Sequence, residues 1–179
     1  MAEKPTIHKL NLTLSDMDRN VYGDYNLTIA LHPSETIERM MVRILAFCYR
    51  AAENLTFARG LSSPEDPELW LKHDDGTILG WIEVGQPSPD RLKKGSSQST
   101  AVKVFSYGRG LDVWWKTNAA AINALPKVTI NYFDGDELQA LCALADKTMS
   151  LTVTITETIA YVSNATDNVA VTLMDMESL

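Results

Sequence analysis

Glu68, Glu83 and Lys94 are the residues whose types and spacing could do chemistry. In "PELWLKHDDGTILGWIEVGQPSPDRLKKGSSQS", residues 67–99, Glu68 follows Pro67 at the start of one apolar run and Glu83 lies near the end of the next. The runs "LWLKH" and "TILGWIEV" are joined by "DDG", whose Asp-Gly pair is the signature of a tight hairpin turn. Alternation places Glu83 on one face with Trp81 and Leu79 in what reads as a core strand. A carboxylate there costs roughly several kcal/mol unless a cation, a proton or water meets it.

Two carboxylates brought together at a sheet edge can hold a hard cation such as Mg²⁺, with water completing the coordination. Such an ion activates a bound water and stabilises a charged phosphoryl transition state. A lysine nearby would orient the water or offset developing charge. Lys94 and Gln98 are four apart on a short helix after the hairpin, hence on one face. If that face looks onto the sheet, Lys94 approaches Glu83. A third carboxylate could come from the first long helix. There Glu38 shares a stripe with Met41, Val42 and Leu45, whereas Glu35 sits where the helix dipole alone stabilises a negative side chain. Each residue also has a plain structural reading: Glu68 ends a loop, Glu83 pairs with Lys94, Gln98 bonds to backbone, and Lys93 faces solvent.

The elements that must position these groups follow from pattern. "TIHKLNLTLSDMD" and "VYGDYNLTIALHP" alternate apolar and polar residues and read as an antiparallel strand pair. Residues 34–53 form the strongest helix, apolar on nearly all sides and therefore largely buried. "LTFARG" reads as a short strand and "SSPEDPE" as a loop. After the hairpin come a short helix over "SPDRLKKGSSQST", a strand "VKVFSYG", a helix "LDVWWKTNAAAINAL", a strand "KVTINYF" and a helix "GDELQALCALADK". "SLTVTITETIAYVSN" and "NVAVTLMDM" close the chain as two or three strands. This is an α+β fold with an α/β-like core: a mixed sheet flanked by helices, plus an antiparallel sheet from the terminal strands. A single domain over 1–179 is expected, with the core at roughly 34–133 and the added strands at 5–30 and 149–175.

The totals narrow the function classes. The chain has 179 residues, 45% hydrophobic and 22% charged, with a net charge of −7. Such a balance suits a globular protein and argues against a whole-surface affinity for nucleic acid, leaving only a local basic patch. That patch is Arg91, Lys93 and Lys94, followed by Lys103 and Arg109. Cys48 and Cys142 lie in apolar helical patterns and read as buried free thiols, which suits a reducing compartment. No secretory signal and no membrane-spanning run is present, so a cytoplasmic location is expected. Phosphate-loop, dinucleotide, serine-hydrolase and zinc motifs are absent. His8, His32 and His73 are scattered and read as surface or capping residues. Trp114, Trp115 and Tyr107 read as core packing, or as contacts if the chain is a binding module.

The strings "DMDRNVYGDYNLTIALHPSETIERMMVRILAF", "LTFARGL", "PELWL", "WIEVGQPSPDRLKK" and "DKTMSLTVTI" resemble the YaeQ family of small bacterial proteins nearly end to end. The resemblance implies a variant of the PD-(D/E)XK nuclease fold. In that superfamily an acid after a proline and an acid-x-lysine triplet bind metal and activate water. Pro67-Glu68 matches the first element, while Glu83-Val84-Gly85 matches the second only in its acid, Gly85 standing at the lysine position. Some members supply the lysine from the next helix, which implies Lys94, with Lys93 as the alternative. By the same resemblance Gln98 matches a helix glutamine and Glu38 a first-helix glutamate. The expected function is a Mg²⁺- or Mn²⁺-dependent nuclease-like protein. Glu68 and Glu83 would bind metal, and Glu38, Lys94 and Gln98 would assist catalysis. Arg91 and Lys93 would meet a nucleic-acid substrate. The alternative is a non-catalytic binding module retaining a degenerate form of the fold.

Overall fold

The structure, a computed structural model, describes residues 3–179. In chain order its first elements are β1 (Thr6–Asp16), β2 (Val21–Leu31), α1 (Ile37–Arg50), β3 (Leu55–Phe57), β4 (Leu69–Lys72) and β5 (Ile78–Val84). Then come α2 (Pro89–Gln98), β6 (Ala101–Ser106), α3 (Leu111–Asn123), β7 (Val128–Phe133) and α4 (Gly135–Cys142). The chain closes with β8 (Thr148–Thr156), β9 (Ile159–Ser163) and β10 (Asn168–Asp175). This is a mixed α+β architecture. It divides into two compact units, Met1–Ala51 with Asp136–Leu173, and Ala52–Gly135 with Met174–Leu179. No helix is long and apolar enough to cross a membrane.

In the first unit β1 and β2 pair antiparallel without a register break from Thr6↔Leu31 to Asp16↔Val21. The terminal strands join them: β8 runs parallel to β1, β9 antiparallel to β8, and β10 antiparallel to β9. Alternation decides the buried face, so Leu10, Leu12 and Leu14 of β1 and Met149, Leu151, Val153 and Ile155 of β8 all enter the core. His8 continues the buried row of β1, contrary to the expected surface role, and its Nδ1 meets the Asp146 carbonyl at 2.9 Å. Helix α1 starts at Thr36, whose side chain accepts the Arg39 N–H. Every residue from Met40 to Tyr49 is buried, as an all-apolar helix requires. Its C-terminus is closed by Arg19, which donates to the carbonyls of Cys48 and Ala51 while Asp16 holds its Nε at 2.6 Å. Burial pushes the Cys48 thiol up to about 12. Cys142 is only half-buried, because α4 ends at that residue.

In the second unit β3, β4 and β5 are antiparallel and β5, β6 and β7 parallel. The hairpin turns through Gly76 at φ +90°, with the Asp75 carboxylate accepting the Thr77 N–H at 2.9 Å. Helices α2 and α3 are the crossovers that parallel strands demand. Trp81, Leu92, Val102, Val104 and Ile122 form the cluster between helices and sheet, with Trp114 and Trp115 packed against its margin. Ser88 caps α2 and Pro89 opens it. Gly95, a poor helix former on propensity, is explained here: a Cβ would stand 2.8 Å from the Trp81 ring. Gly95→Ala is therefore expected to lower stability by about 1–3 kcal/mol through overpacking, measured by urea titration. An unchanged midpoint would mean that α2 does not seat on Trp81.

Candidate functional site

The β4–β5 ladder pairs Leu69↔Ile82 and Trp70↔Trp81, with Glu68 just before the first pair and Glu83 just after its partner. The Glu68 N–H donates to the Ile82 carbonyl at 3.0 Å, one residue out of that register, so the ladder slips at Glu68; the two acids are nonetheless near enough for the Glu68 charge to act on Glu83. Both glutamates are buried, at 4% and 3% exposure. Glu68 packs over Gly60, which adopts φ +51°, and a Cβ at that position would collide with the Glu68 carboxylate. Both acids lie in the second unit, within electrostatic reach of each other.

The cation that meets Glu83 is Arg91. Its Nε lies 2.9 Å from Glu83 Oε1, and the same oxygen accepts the Trp81 indole N–H at 2.8 Å. Burial pushes the Glu83 carboxyl above its ordinary range, the Arg91 charge and the two N–H donors pull it back, and the neighbouring Glu68 raises it again. The expected Glu83–Lys94 pair does not form. Arg91 lies in the first turn of α2, above the end of β5. Lys94 is about 4.5 Å further along the helix axis and reaches elsewhere. Its Nζ binds Glu65 Oε2 at 2.5 Å and the Pro64 carbonyl at 3.4 Å. Arg91 also donates to the carbonyls of Pro64 at 2.7 Å and Asp66 at 2.5 Å. Two side chains of α2 therefore pin residues 64–66, and Arg59 holds Asp66 from the other side at 2.9 Å.

The remaining expected residues are distributed differently. Lys93 and Gln98 are exposed. Gly85, at the position where the resemblance would expect a lysine, has φ +91°, a conformation that disfavours any side chain. Glu38 belongs to the first unit and is half-buried there, its charge adding to burial in raising the Cys142 thiol. Sequence reasoning missed the role of Glu35. Its buried carboxylate binds Arg39 at 2.6 Å and Arg43 at 2.9 and 2.6 Å, and Arg43 also reaches the Ala30 carbonyl at 2.9 Å. Four-residue steps relate Glu35, Arg39 and Arg43, but Glu35 precedes the helix and its Thr36 cap, so helical spacing alone does not bring it onto the two arginines.

Among the described residues no three His, Cys, Asp or Glu side chains are grouped to hold a metal ion. At Glu83 Oε1 two N–H donors already occupy the positions a cation would need, and Mg²⁺ or Mn²⁺ at that oxygen would have to displace Arg91.

A mixed α+β chain with this acid pair under a basic helix has close relatives. The YaeQ protein family profile matches residues 1–173. The Escherichia coli (strain K12) protein named "Uncharacterized protein YaeQ" is 40% identical over 174 residues, covering 97% of this chain and 96% of its own. The protein of that name in Salmonella typhi is equally similar. The crystal structure of the YaeQ protein from Pseudomonas syringae superposes with a TM-score of 0.92 at 38% identity, covering 96% of each chain. That from Xanthomonas axonopodis pv. citri gives 0.91 at 36% identity over 95% of this chain and 97% of its own. The chain belongs to the YaeQ family.

Proposed function

We propose that the chain is a non-catalytic binding module carrying a degenerate nuclease-like site. The observation that supports this reading most is the Glu83–Arg91–Trp81 contact. The acid that a PD-(D/E)XK enzyme would offer to metal is spent on an arginine and an indole. Hydrolysis would also need an amine or another group beside the acid pair to position water. Lys94 is turned to Glu65, and an arginine side chain, unlike lysine, does not serve as a base. The net charge of −7 and the commitment of Arg91 and Lys94 to the 64–66 segment disfavour a nucleic-acid track and favour a protein partner.

One observation favours the second reading, a Mg²⁺- or Mn²⁺-dependent phosphodiesterase: Glu68 and Glu83 are both buried and near enough for the charge of one to act on the other. The two readings separate in a calorimetric titration of the protein with Mn²⁺, repeated on Glu83→Gln. The binding module predicts no affinity that depends on Glu83. A stoichiometric Mn²⁺ site lost in Glu83→Gln would overturn it and establish the cation site.

A further inference from the structure

Strand β2 is the outer strand of the first unit's sheet, paired among the described residues with β1 alone. The Lys9 N–H donates to Lys147 of the segment leading into β8, and Lys9 stands opposite Thr28. In an antiparallel ladder this makes Lys9–Thr28 a pair without mutual hydrogen bonds. The even-numbered residues of β2 therefore turn their N–H and C=O groups away from β1. The Ala30 carbonyl confirms the direction, since Arg43 approaches it from outside the ladder at 2.9 Å. From Tyr22 to Thr28 the outward groups form a straight strand edge.

Protein sheets normally blunt such an edge with lysine, proline, a bulge or a short strand. Strand β2, "VYGDYNLTIAL", has eleven residues, no basic residue, no proline and no register break. Its one charge is Asp24. The strand is symmetric about Asn26, so a second copy laid antiparallel and centred there would place Asp24 opposite Thr28 of the second copy. The Thr28 hydroxyl already accepts the Lys9 ammonium at 2.8 Å. Each Asp24 would thus meet a Lys9 of the other copy, twice by symmetry. Half-buried Tyr25 and Leu27 would face each other across the axis and extend the apolar face. A centre at Asp24 would oppose that charge to itself, and a centre at Tyr25 or Leu27 would set Asp24 opposite Asn26 or Ala30 of the second copy, away from Thr28 and its Lys9.

We propose that β2 joins a second copy of this chain across a two-fold axis at Asn26, continuing the sheet from one copy into the other. This pairing is independent of the binding-module reading. Sedimentation equilibrium of the full chain tests it, because Lys9 and Asp24 are exposed and tolerate exchange. The wild type should dimerise, Asp24→Lys should weaken the dimer at least about tenfold by setting like charges together, and Asp24→Lys with Lys9→Asp should restore it. Asn26→Cys should crosslink to its symmetry mate on oxidation, since directly paired strand residues fall within disulfide reach. Thr13→Cys, on the exposed face one strand away, should not. A wild type that stays monomeric, a charge swap without recovery, or equal crosslinking at both positions would overturn the proposal.

Discussion

Arg91→Met is expected to cost about 3 kcal/mol of stability at pH 8, near the lower end for breaking a buried pair from one side, because the Arg91 side chain keeps 26% exposure. The loss comes from Glu83, left in a buried position with the Trp81 N–H still donating to it, and from the Pro64 and Asp66 carbonyls that Arg91 no longer binds. The pH dependence identifies the first component. Burial already holds the folded-state pKa of Glu83 above its ordinary 4.5, and Arg91 is the largest influence lowering it. Between the unfolded value and the raised folded value the native state binds more protons than the unfolded chain, so stability falls as pH rises through that window. Removing Arg91 extends the window upward. The defect should therefore be greatest above it and should shrink as pH falls through the window, becoming smallest well below 4.5, where Glu83 is neutral in both states. Urea titrations at pH 5 and pH 8 measure this, and Arg91→Met with Glu83→Gln should recover most of the pH 8 loss. A defect equal at both pH values, with no recovery in the double variant, would assign the cost to the loop contacts alone.

The second large effect lies in the first unit. Glu35→Ala is expected to destabilise by about 3–5 kcal/mol, because it withdraws the carboxylate that two guanidinium groups share in a buried setting. Arg43, at 6% exposure, would keep the Ala30 carbonyl as an acceptor without any charge to balance it there. Glu38→Ala, one turn along and half-buried, should change stability by only about 0.5 kcal/mol. Thermal or urea unfolding of the two variants side by side decides the matter. If Glu38→Ala were the more damaging, the ion-pair account of the start of α1 would fail.

These two residues show how far the chain's pattern carries. Glu35 and Glu38 are both acids at the beginning of one helix, and helical spacing placed Glu38 with Met41, Val42 and Leu45 on an inward stripe. Spacing could not say that Glu35, outside the helix and before its cap, folds back onto Arg39 and Arg43. The same holds for α2. Arg91 and Lys94 are three apart and share a face, so periodicity alone left either of them able to meet Glu83. What separated them was the height of the helix above the strand. Arg91 reaches both Glu83 and the 64–66 segment, whereas Lys94 reaches only as far as Glu65 and the Pro64 carbonyl.

Local order was legible from residue types. Alternation gave the strands, the Asp-Gly pair gave the hairpin, and the all-apolar run gave a buried α1. The β4–β5 hairpin also brought Glu68 and Glu83 near each other, but the register shift at Leu71/Lys72 between the turn and the acids could not be read from residue types. Partner choice was decided only by tertiary structure: Arg91 instead of Lys94 on Glu83, and Arg43 on Glu35. The reason is range. Backbone patterns repeat every two or three to four residues and are written in neighbouring side chains, whereas the distance between a helix cation and a strand anion depends on how the two elements dock.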